Sequence, residues 1–162
     1  TSIIDTNLKK TIENFIIEKD ASIPKEFNLS EFQIRASKRI LEGLIKKEYY
    51  GTLISAGTGS GKTLAFYIPA LSKIASNIIE IGFNESFLQC LSIYPKNELL
   101  KDQFSEIFKE ARLFDKFLNS RNKRKIIIAP LFSDVPRNTS WLLNNFEGKQ
   151  LYKYSNLYQC SK

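Results

Sequence analysis

One stretch decides the fold of this chain: Ala56-Gly57-Thr58-Gly59-Ser60-Gly61-Lys62-Thr63. It follows a short apolar run, 51–56, and precedes a segment with helical periodicity. Its three glycines let the backbone wrap closely, so that N–H groups point at phosphate oxygens and the helix N-terminus adds favourable charge. Lys62 is suited to the β and γ phosphates of a nucleotide, and the Thr63 hydroxyl to Mg²⁺. The pattern between strand and helix predicts a phosphate-binding P-loop.

The P-loop supplies the first set of candidate site residues. Lys62 and Thr63 are the candidate catalytic residues, and Thr63 is also the candidate ligand of Mg²⁺. Nucleotide contacts are predicted for Gly57, Thr58, Gly59, Ser60, Gly61, Lys62 and Thr63. A P-loop alone does not distinguish helicases from kinases or GTPases, so those alternatives stay open at this point.

Outward from the P-loop, apolar runs alternate with segments of helical periodicity. Four helices are predicted: one at about 7–19, one that begins near Glu31, one that begins near Gly61, and one at about 97–118. Three strands are predicted, at 51–56, 88–94 and 125–129. This alternation predicts an α/β fold with a parallel sheet. Cys90 falls inside the second predicted strand, where a buried, inert thiol is expected. Propensity alone ends the third helix near Ile68, because Pro69 costs about 3 kcal/mol inside a helix.

Composition narrows the classes of function. Among 162 residues there are two cysteines and no histidine, which excludes a self-contained Cys/His zinc site and a Ser-His-Asp triad. The net charge of +7 favours polyanionic partners such as nucleic acid. No run approaches the roughly 20 apolar residues that span a bilayer, and no signal peptide opens the chain. We therefore expect a cytoplasmic protein without a membrane partner.

The P-loop and its surroundings resemble superfamily 2 helicases of the DEAD/DEAH type. Residues 56–63 are similar to their motif I, and Leu64-Ala65-Phe66-Tyr67-Ile68-Pro69-Ala70-Leu71 is similar to the segment that follows it. The resemblance implies that this helix persists through the proline with a kink. The resemblance implies the first RecA-like lobe of a P-loop NTPase, in which helices flank a parallel sheet, with ATP and Mg²⁺ as cofactors.

A second segment, Tyr94-Pro95-Lys96-Asn97-Glu98-Leu99-Leu100-Lys101-Asp102-Gln103, resembles motif Ia, in a form found in bacterial helicases linked to DNA repair and phage defence. In the family this segment grips the sugar-phosphate backbone. The resemblance implies nucleic-acid contacts, with DNA expected, at Pro95, Lys96, Asn97 and Gln103. Lys96 and Asn97 would offer donors beside a helix N-terminus. An ordinary capped helix start is the alternative.

Phe32-Gln33 resembles the Q motif, whose glutamine reads adenine. A glutamine amide can pair with the N6 donor and the N7 acceptor of adenine together. Gln33 is therefore the predicted adenine contact. Because Ser30 precedes it by three residues, a helix capping box is the alternative role.

Two further segments each allow two interpretations. Leu131–Arg137 resembles the segment after the third strand in related helicases, with Asp134 either functional or part of a polar turn. The basic residues 121–125 either contact phosphates or form a solvated loop.

Motif II of the family, an apolar strand that ends in an acidic pair, is not found in the sequence. Since the chain also begins at Thr1 and lacks methionine, we expect a piece of a longer protein that ends before motif II and is inactive alone. Residues 1–27 are the predicted N-terminal helical extension, and residues 28–162 are an incomplete ATP-binding lobe. Its predicted partners are nucleic acid and the second RecA-like lobe. A noncatalytic nucleotide-binding module is the remaining alternative.

Overall fold

The computed structural model describes residues 6–24, 26–46, 51–57, 59–80 and 88–131. Within these ranges the chain forms four helices: α1 (Thr6–Ala21), α2 (Glu31–Lys46), α3 (Lys62–Glu80) and α4 (Asn97–Asn119). All four predicted helices are confirmed, and their predicted ends agree to within two residues except for the end of the third helix. Among the described helices, none combines the length and apolar character needed to cross a membrane.

The chain divides into two compact units. Unit 1 comprises residues 1–92 and 107–127, and unit 2 comprises residues 93–106 and 128–162. Unit 1 therefore contains α1, α2, α3 and the C-terminal part of α4, together with the P-loop. Unit 2 contains the N-terminal part of α4 and the segment that resembles motif Ia.

In unit 1, α1 packs against α3 and against residues 107–119 of α4. The ring of Phe15 stacks on that of Phe114 at 4.7 Å between centroids, and both side chains are fully buried. Two ion pairs flank this stack: Lys19 with Glu110, and Lys116 with Glu18. The predicted N-terminal extension thus contributes its helix to the core of unit 1.

The start of α2 has the geometry that Ser30 and Gln33 predict. The Gln33 N–H donates to Ser30 Oγ at 3.3 Å, and the Ser30 N–H donates to Gln33 Oε1 at 2.9 Å. These reciprocal bonds form a capping box, which satisfies two backbone donors that the helix start leaves without partners. The capping role of Gln33 is therefore confirmed.

Helix α3 continues through Pro69 to Glu80. The expectation from propensity, an end near Ile68, is wrong, and the continuation through Pro69 that the family resemblance implies is confirmed. The proline and its neighbours Ile68 and Leu71 are almost completely buried. Burial of the apolar face of α3 outweighs the local cost of the proline, because each fully buried large apolar side chain stabilises the fold by about 1.5–3 kcal/mol.

The three predicted strands are not observed. In the described residues 51–57, 88–94 and 123–131, the structure contains neither strand nor helix. Several of their apolar side chains are open to solvent, with Leu53 95%, Ile93 83% and Ile127 70% exposed, whereas Ile126 is buried at 3%. Cys90 is exposed too, which corrects the expectation of a buried thiol. A strand obtains its hydrogen bonds from a neighbouring strand, whereas a helix obtains them within its own segment. Without such pairing in the described part, the sheet remains a proposal.

The segment that follows α4 is attached to that helix through the backbone N–H and carbonyl of one residue, Ile126. Arg112 donates to the Ile126 carbonyl at 2.5 Å, and the Ile126 N–H donates to Asp115 Oδ1 at 3.1 Å. Arg112 and Asp115 also form an ion pair at 2.8 Å. Burial raises the pKa of Asp115, while the Ile126 N–H, Arg112 and Lys125 act in the opposite direction. Residue 126 is thereby fixed beside the last turns of α4.

Candidate phosphate-binding site

The P-loop joins residues 51–56 to α3 by two turns of the backbone that favour glycine. Gly59 and Gly61 both have φ of 74°, a left-handed conformation that residues with a Cβ rarely adopt. The Ser60 hydroxyl donates to the Gly57 carbonyl at 2.8 Å, which closes the loop between these positions. Helix α3 begins directly after it, at Lys62. Thr58, a predicted nucleotide contact, lies outside the described residues.

The Lys62 side chain lies along the P-loop. Its ammonium group donates to the Ala56 carbonyl at 2.7 Å and to the Gly57 carbonyl at 2.5 Å. An ammonium group has three N–H donors, and these two bonds employ two of them. The cation is thus held against the carbonyl groups of residues 56 and 57, at the start of the P-loop. A phosphate bound at this loop would gain both from the lysine charge and from the dipole of α3.

The P-loop is also bonded to α2 through Gln33. The Gln33 Nε2 donates to the Gly61 carbonyl at 3.1 Å, and the glutamine is 7% exposed. A Cβ at position 61 would lie 2.4 Å from that nitrogen. The backbone conformation therefore favours glycine at position 61, and a Cβ there would also displace the Gln33 amide. Sequence reasoning missed this contact, since 28 residues separate its partners.

The described donors fit a nucleotide phosphate. Among the described residues, chain neighbours apart, no atom lies within 4 Å of the positions that a Cβ would take at Gly57 and Gly59. The free N–H groups of the first helical turn, the ammonium of Lys62 and the hydroxyl of Thr63 all belong to this region. Mg²⁺ commonly keeps several waters and binds substrate phosphates together with one or two protein groups. Thr63 is the group that the loop offers for this role.

The other predicted contacts lie in unit 2, at the start of α4. Pro95, Lys96 and Asn97 are exposed. The Lys96 carbonyl accepts from the Leu100 N–H at 3.1 Å, so Lys96 directly precedes the helix at its cap position. Gln103 is half-buried and donates to Glu106 at 3.3 Å. The first three residues are therefore accessible to a phosphate backbone, while the amide of Gln103 already has a partner on its own helix.

The remaining basic segment, residues 121–125, begins in the turn after α4 and continues without regular secondary structure. Asn122 has φ of 54°, and the guanidinium of Arg121 lies 4.6 Å from the centroid of the Phe117 ring. This contact favours a local packing role for Arg121. Asp134, in the segment Leu131–Arg137 that allows two interpretations, lies outside the described residues.

One family model and one curated protein match this chain over part of its length. The model of the DEAD/DEAH box helicase family matches residues 30–132. Over 69 residues the chain is 36% identical to Druantia protein DruE of Escherichia coli (strain UMEA 4076-1). This alignment covers 41% of the chain but 4% of that relative, so the chain spans a small part of its length. No solved structure matches the chain.

The family match extends over well more than half of the chain and includes Gln33, the P-loop and the start of α4. The family implies the RecA-like P-loop fold. The chain belongs to the DEAD/DEAH box helicase family.

Proposed function

We propose that residues 28–162 bind ATP and Mg²⁺ as part of the first RecA-like lobe of a helicase or translocase that acts on DNA. The observation that carries the proposal is the P-loop itself. Two left-handed glycines, a lysine held across the loop and a helix that begins at that lysine form a phosphate-binding arrangement. The proposed lobe also contains a parallel sheet built from residues 51–56, 88–94 and 125–129.

Each P-loop residue has a separate role in this proposal. The backbone N–H groups of residues 57–61 surround the phosphates, and Lys62 neutralises charge on the β and γ phosphates. Thr63 binds Mg²⁺ together with phosphate oxygens and water. ATP bound with its metal supplies the reactive phosphoanhydride, and the residues of this chain bind and orient it.

Gln33 is proposed to read the adenine while it remains part of the capping box. Its Oε1 accepts one hydrogen bond, from Ser30, and its Nε2 donates one, to Gly61. An amide oxygen has two lone pairs and an amide nitrogen has two hydrogens. One acceptor position and one donor therefore remain beyond these two bonds, which is the pair that the N6 and N7 edge of adenine requires.

The start of α4 is the proposed contact with the DNA backbone. Pro95, Lys96 and Asn97 are exposed there, and the net charge of the chain is +7. Phosphate contacts of this kind position a nucleic acid without reading its sequence. Gln103 is proposed as a fourth contact, for which it must exchange its bond to Glu106. DNA is proposed rather than RNA because the segment from Tyr94 to Gln103 resembles the motif Ia of bacterial helicases linked to DNA repair and phage defence.

Binding and hydrolysis by the 162-residue chain are expected to differ, and this difference tests the proposal. Calorimetry should detect MgATP binding, because the P-loop is present. Hydrolysis should stay near background, because the sequence contains no Asp-Glu pair to hold the metal and orient water. An arginine finger, which a second lobe would supply, is worth a further 10³–10⁵ in rate, roughly.

Two results would contradict the proposal. If the folded chain does not bind MgATP, the assignment of the P-loop is wrong. If the chain alone hydrolyses ATP at about 1–10³ s⁻¹, as typical enzymes turn over, a catalytic acid lies within it. A longer protein that contains this chain should show ATPase activity stimulated by DNA, whereas a kinase or GTPase should not.

A further inference from the structure

Helix α3 lacks one of its own hydrogen bonds at the point where α2 crosses it. In an α-helix the carbonyl of residue 65 accepts from the N–H of residue 69. Residue 69 is Pro69, which has no N–H. The Ser37 hydroxyl on α2 donates to the Ala65 carbonyl at 3.2 Å. Ser37 is 7% exposed and Ala65 is 0% exposed, so water has little access to either group.

This bond has a counterpart one helical turn earlier. Gln33 precedes Ser37 by four residues on α2, and Gly61 precedes Ala65 by four residues along the P-loop and α3. The Gln33 amide donates to the Gly61 carbonyl at 3.1 Å, and the Ser37 hydroxyl donates to the Ala65 carbonyl. Residues four apart lie on the same face of a helix. Two donors on one face of α2 therefore fix two successive turns at the start of α3.

We propose that Ser37 is a positioning residue: its hydroxyl replaces the hydrogen bond that Pro69 cannot donate and thereby holds the first turns of α3 where Lys62 and Thr63 meet the nucleotide phosphates. The second half of this statement rests on the proposed function. Ser37 itself makes no contact with the nucleotide. It acts through the backbone of α3, whose first residues are Lys62 and Thr63.

A double-mutant cycle between positions 37 and 69 tests the replacement. Ser37→Ala leaves the Ala65 carbonyl without its donor from α2, so the midpoint of thermal unfolding should fall by about 3–5 °C. Pro69→Ala restores a backbone N–H at position 69. In that background Ser37→Ala should lower the midpoint by about 1 °C or less, because the helix now supplies its own bond. Equal losses in the two backgrounds would overturn the replacement.

The matched control is Ser72→Ala. Ser72 is a fully buried serine on α3, and its hydroxyl has no hydrogen-bond partner among the described residues. Removal of a buried hydroxyl that makes no bond should leave the unfolding midpoint unchanged or raise it. A loss equal to that of Ser37→Ala would show that any buried serine of unit 1 behaves alike, which would overturn the specific role of Ser37.

Affinity for MgATP separates positioning from stability. It is measured by calorimetry at least 15 °C below every unfolding midpoint, roughly, so that all variants are folded. Ser37→Ala should raise the Kd by about 3- to 10-fold, and the Ser37→Ala/Pro69→Ala variant should recover the Kd of Pro69→Ala alone. An unchanged Kd in Ser37→Ala would restrict Ser37 to stability and overturn its positioning role.

Amide hydrogen exchange gives a second measure of position that does not require a nucleotide. Exchange at residues 65–68 should be faster in Ser37→Ala and return to the Pro69→Ala rates in the double variant. If the unaltered chain fails to bind MgATP, the proposed function fails, while the unfolding cycle and these exchange rates still decide the role of Ser37. Unchanged exchange in Ser37→Ala would overturn it.

Discussion

Two helix starts in this chain are predicted to meet phosphate groups, and they are built differently. At the start of α3, Gly61, Lys62 and Thr63 are half-buried, and side chains of α2 bond to the backbone there. At the start of α4, Pro95, Lys96 and Asn97 are all exposed. Both helices offer unpaired N–H groups and the positive end of a dipole. They differ in how firmly their surroundings hold these groups.

If both helix starts bind phosphate as proposed, this difference gives two modes of phosphate recognition. A loop closed around its ligand uses fixed donors in a partly desolvated site, where each charge-assisted hydrogen bond is strong. An exposed lysine acts as a point charge in water, so its contribution is small and is screened by salt. The first mode suits a nucleotide that must be oriented for reaction. The second suits a nucleic-acid backbone along which a protein moves.

The largest effect is expected from Lys62→Ala. This change removes the ammonium that lies across the P-loop, and MgATP affinity should fall about 100-fold or more. The measurement is isothermal titration calorimetry on variants with circular dichroism spectra like that of the unaltered chain. Lys38→Ala, an exposed lysine on α2, is the matched control and should bind normally. Unchanged affinity in folded Lys62→Ala would remove the distinction between the two helix starts.

An intermediate effect is expected from Gln33→Ala. Loss of the amide should weaken the affinity for ATP by about 3- to 10-fold relative to that for GTP and CTP, because adenine loses the donor and the acceptor that the Gln33 amide offers it. Competition binding with the three nucleotides measures this preference. Ser30→Ala is the control, since it removes the hydroxyl half of the capping box and keeps the Gln33 amide. It should cost about 1 kcal/mol of stability and leave nucleotide preference unchanged.

Equal changes of nucleotide preference in Gln33→Ala and Ser30→Ala would leave Gln33 with its capping role alone. In that case α2 would stabilise the P-loop without reading the base. The two helix starts would then be compared only in how they bind phosphate groups.

The smallest effect is expected from Lys96→Ala. DNA affinity should fall by a few fold, similarly for different sequences, and the salt dependence should decrease by about one phosphate contact. Fluorescence anisotropy over a range of salt concentrations measures this slope. The matched control is Lys109→Ala, an exposed lysine later on the same helix, which should keep the original slope. An unchanged slope in Lys96→Ala would exclude Lys96 from the interface.

The helices were predictable because their signals are local. Apolar residues recur at helical spacing in α1 and α4, and Ser30 with Gln33 marks the start of α2. The P-loop was predictable because its chemistry demands particular residues at fixed spacing. The persistence of α3 through Pro69 followed from family resemblance, whereas propensity predicted the opposite.

Contacts between residues that are far apart in the sequence could not be predicted from local sequence patterns. Gln33 meets Gly61, and Ser37 meets Ala65, across 28 residues in both cases. No spacing rule identifies such partners in a single sequence. The three predicted strands depend on partners in the same way, because a strand is completed only by a neighbour that accepts its register. Their apolar composition indicated burial, and the structure shows Leu53 and Ile93 in solvent.

The close approach of Gln33 to Gly61 has a consequence for how this site can evolve. A methyl group at position 61 meets two independent obstacles, the left-handed backbone and the Gln33 amide 2.4 Å away. Loss of the glutamine removes the second obstacle and leaves the first. Gly61→Ala should therefore be less damaging after Gln33→Ala than before it, although never neutral. The two positions are epistatic, and the order in which substitutions arise decides which sequences remain accessible to the P-loop.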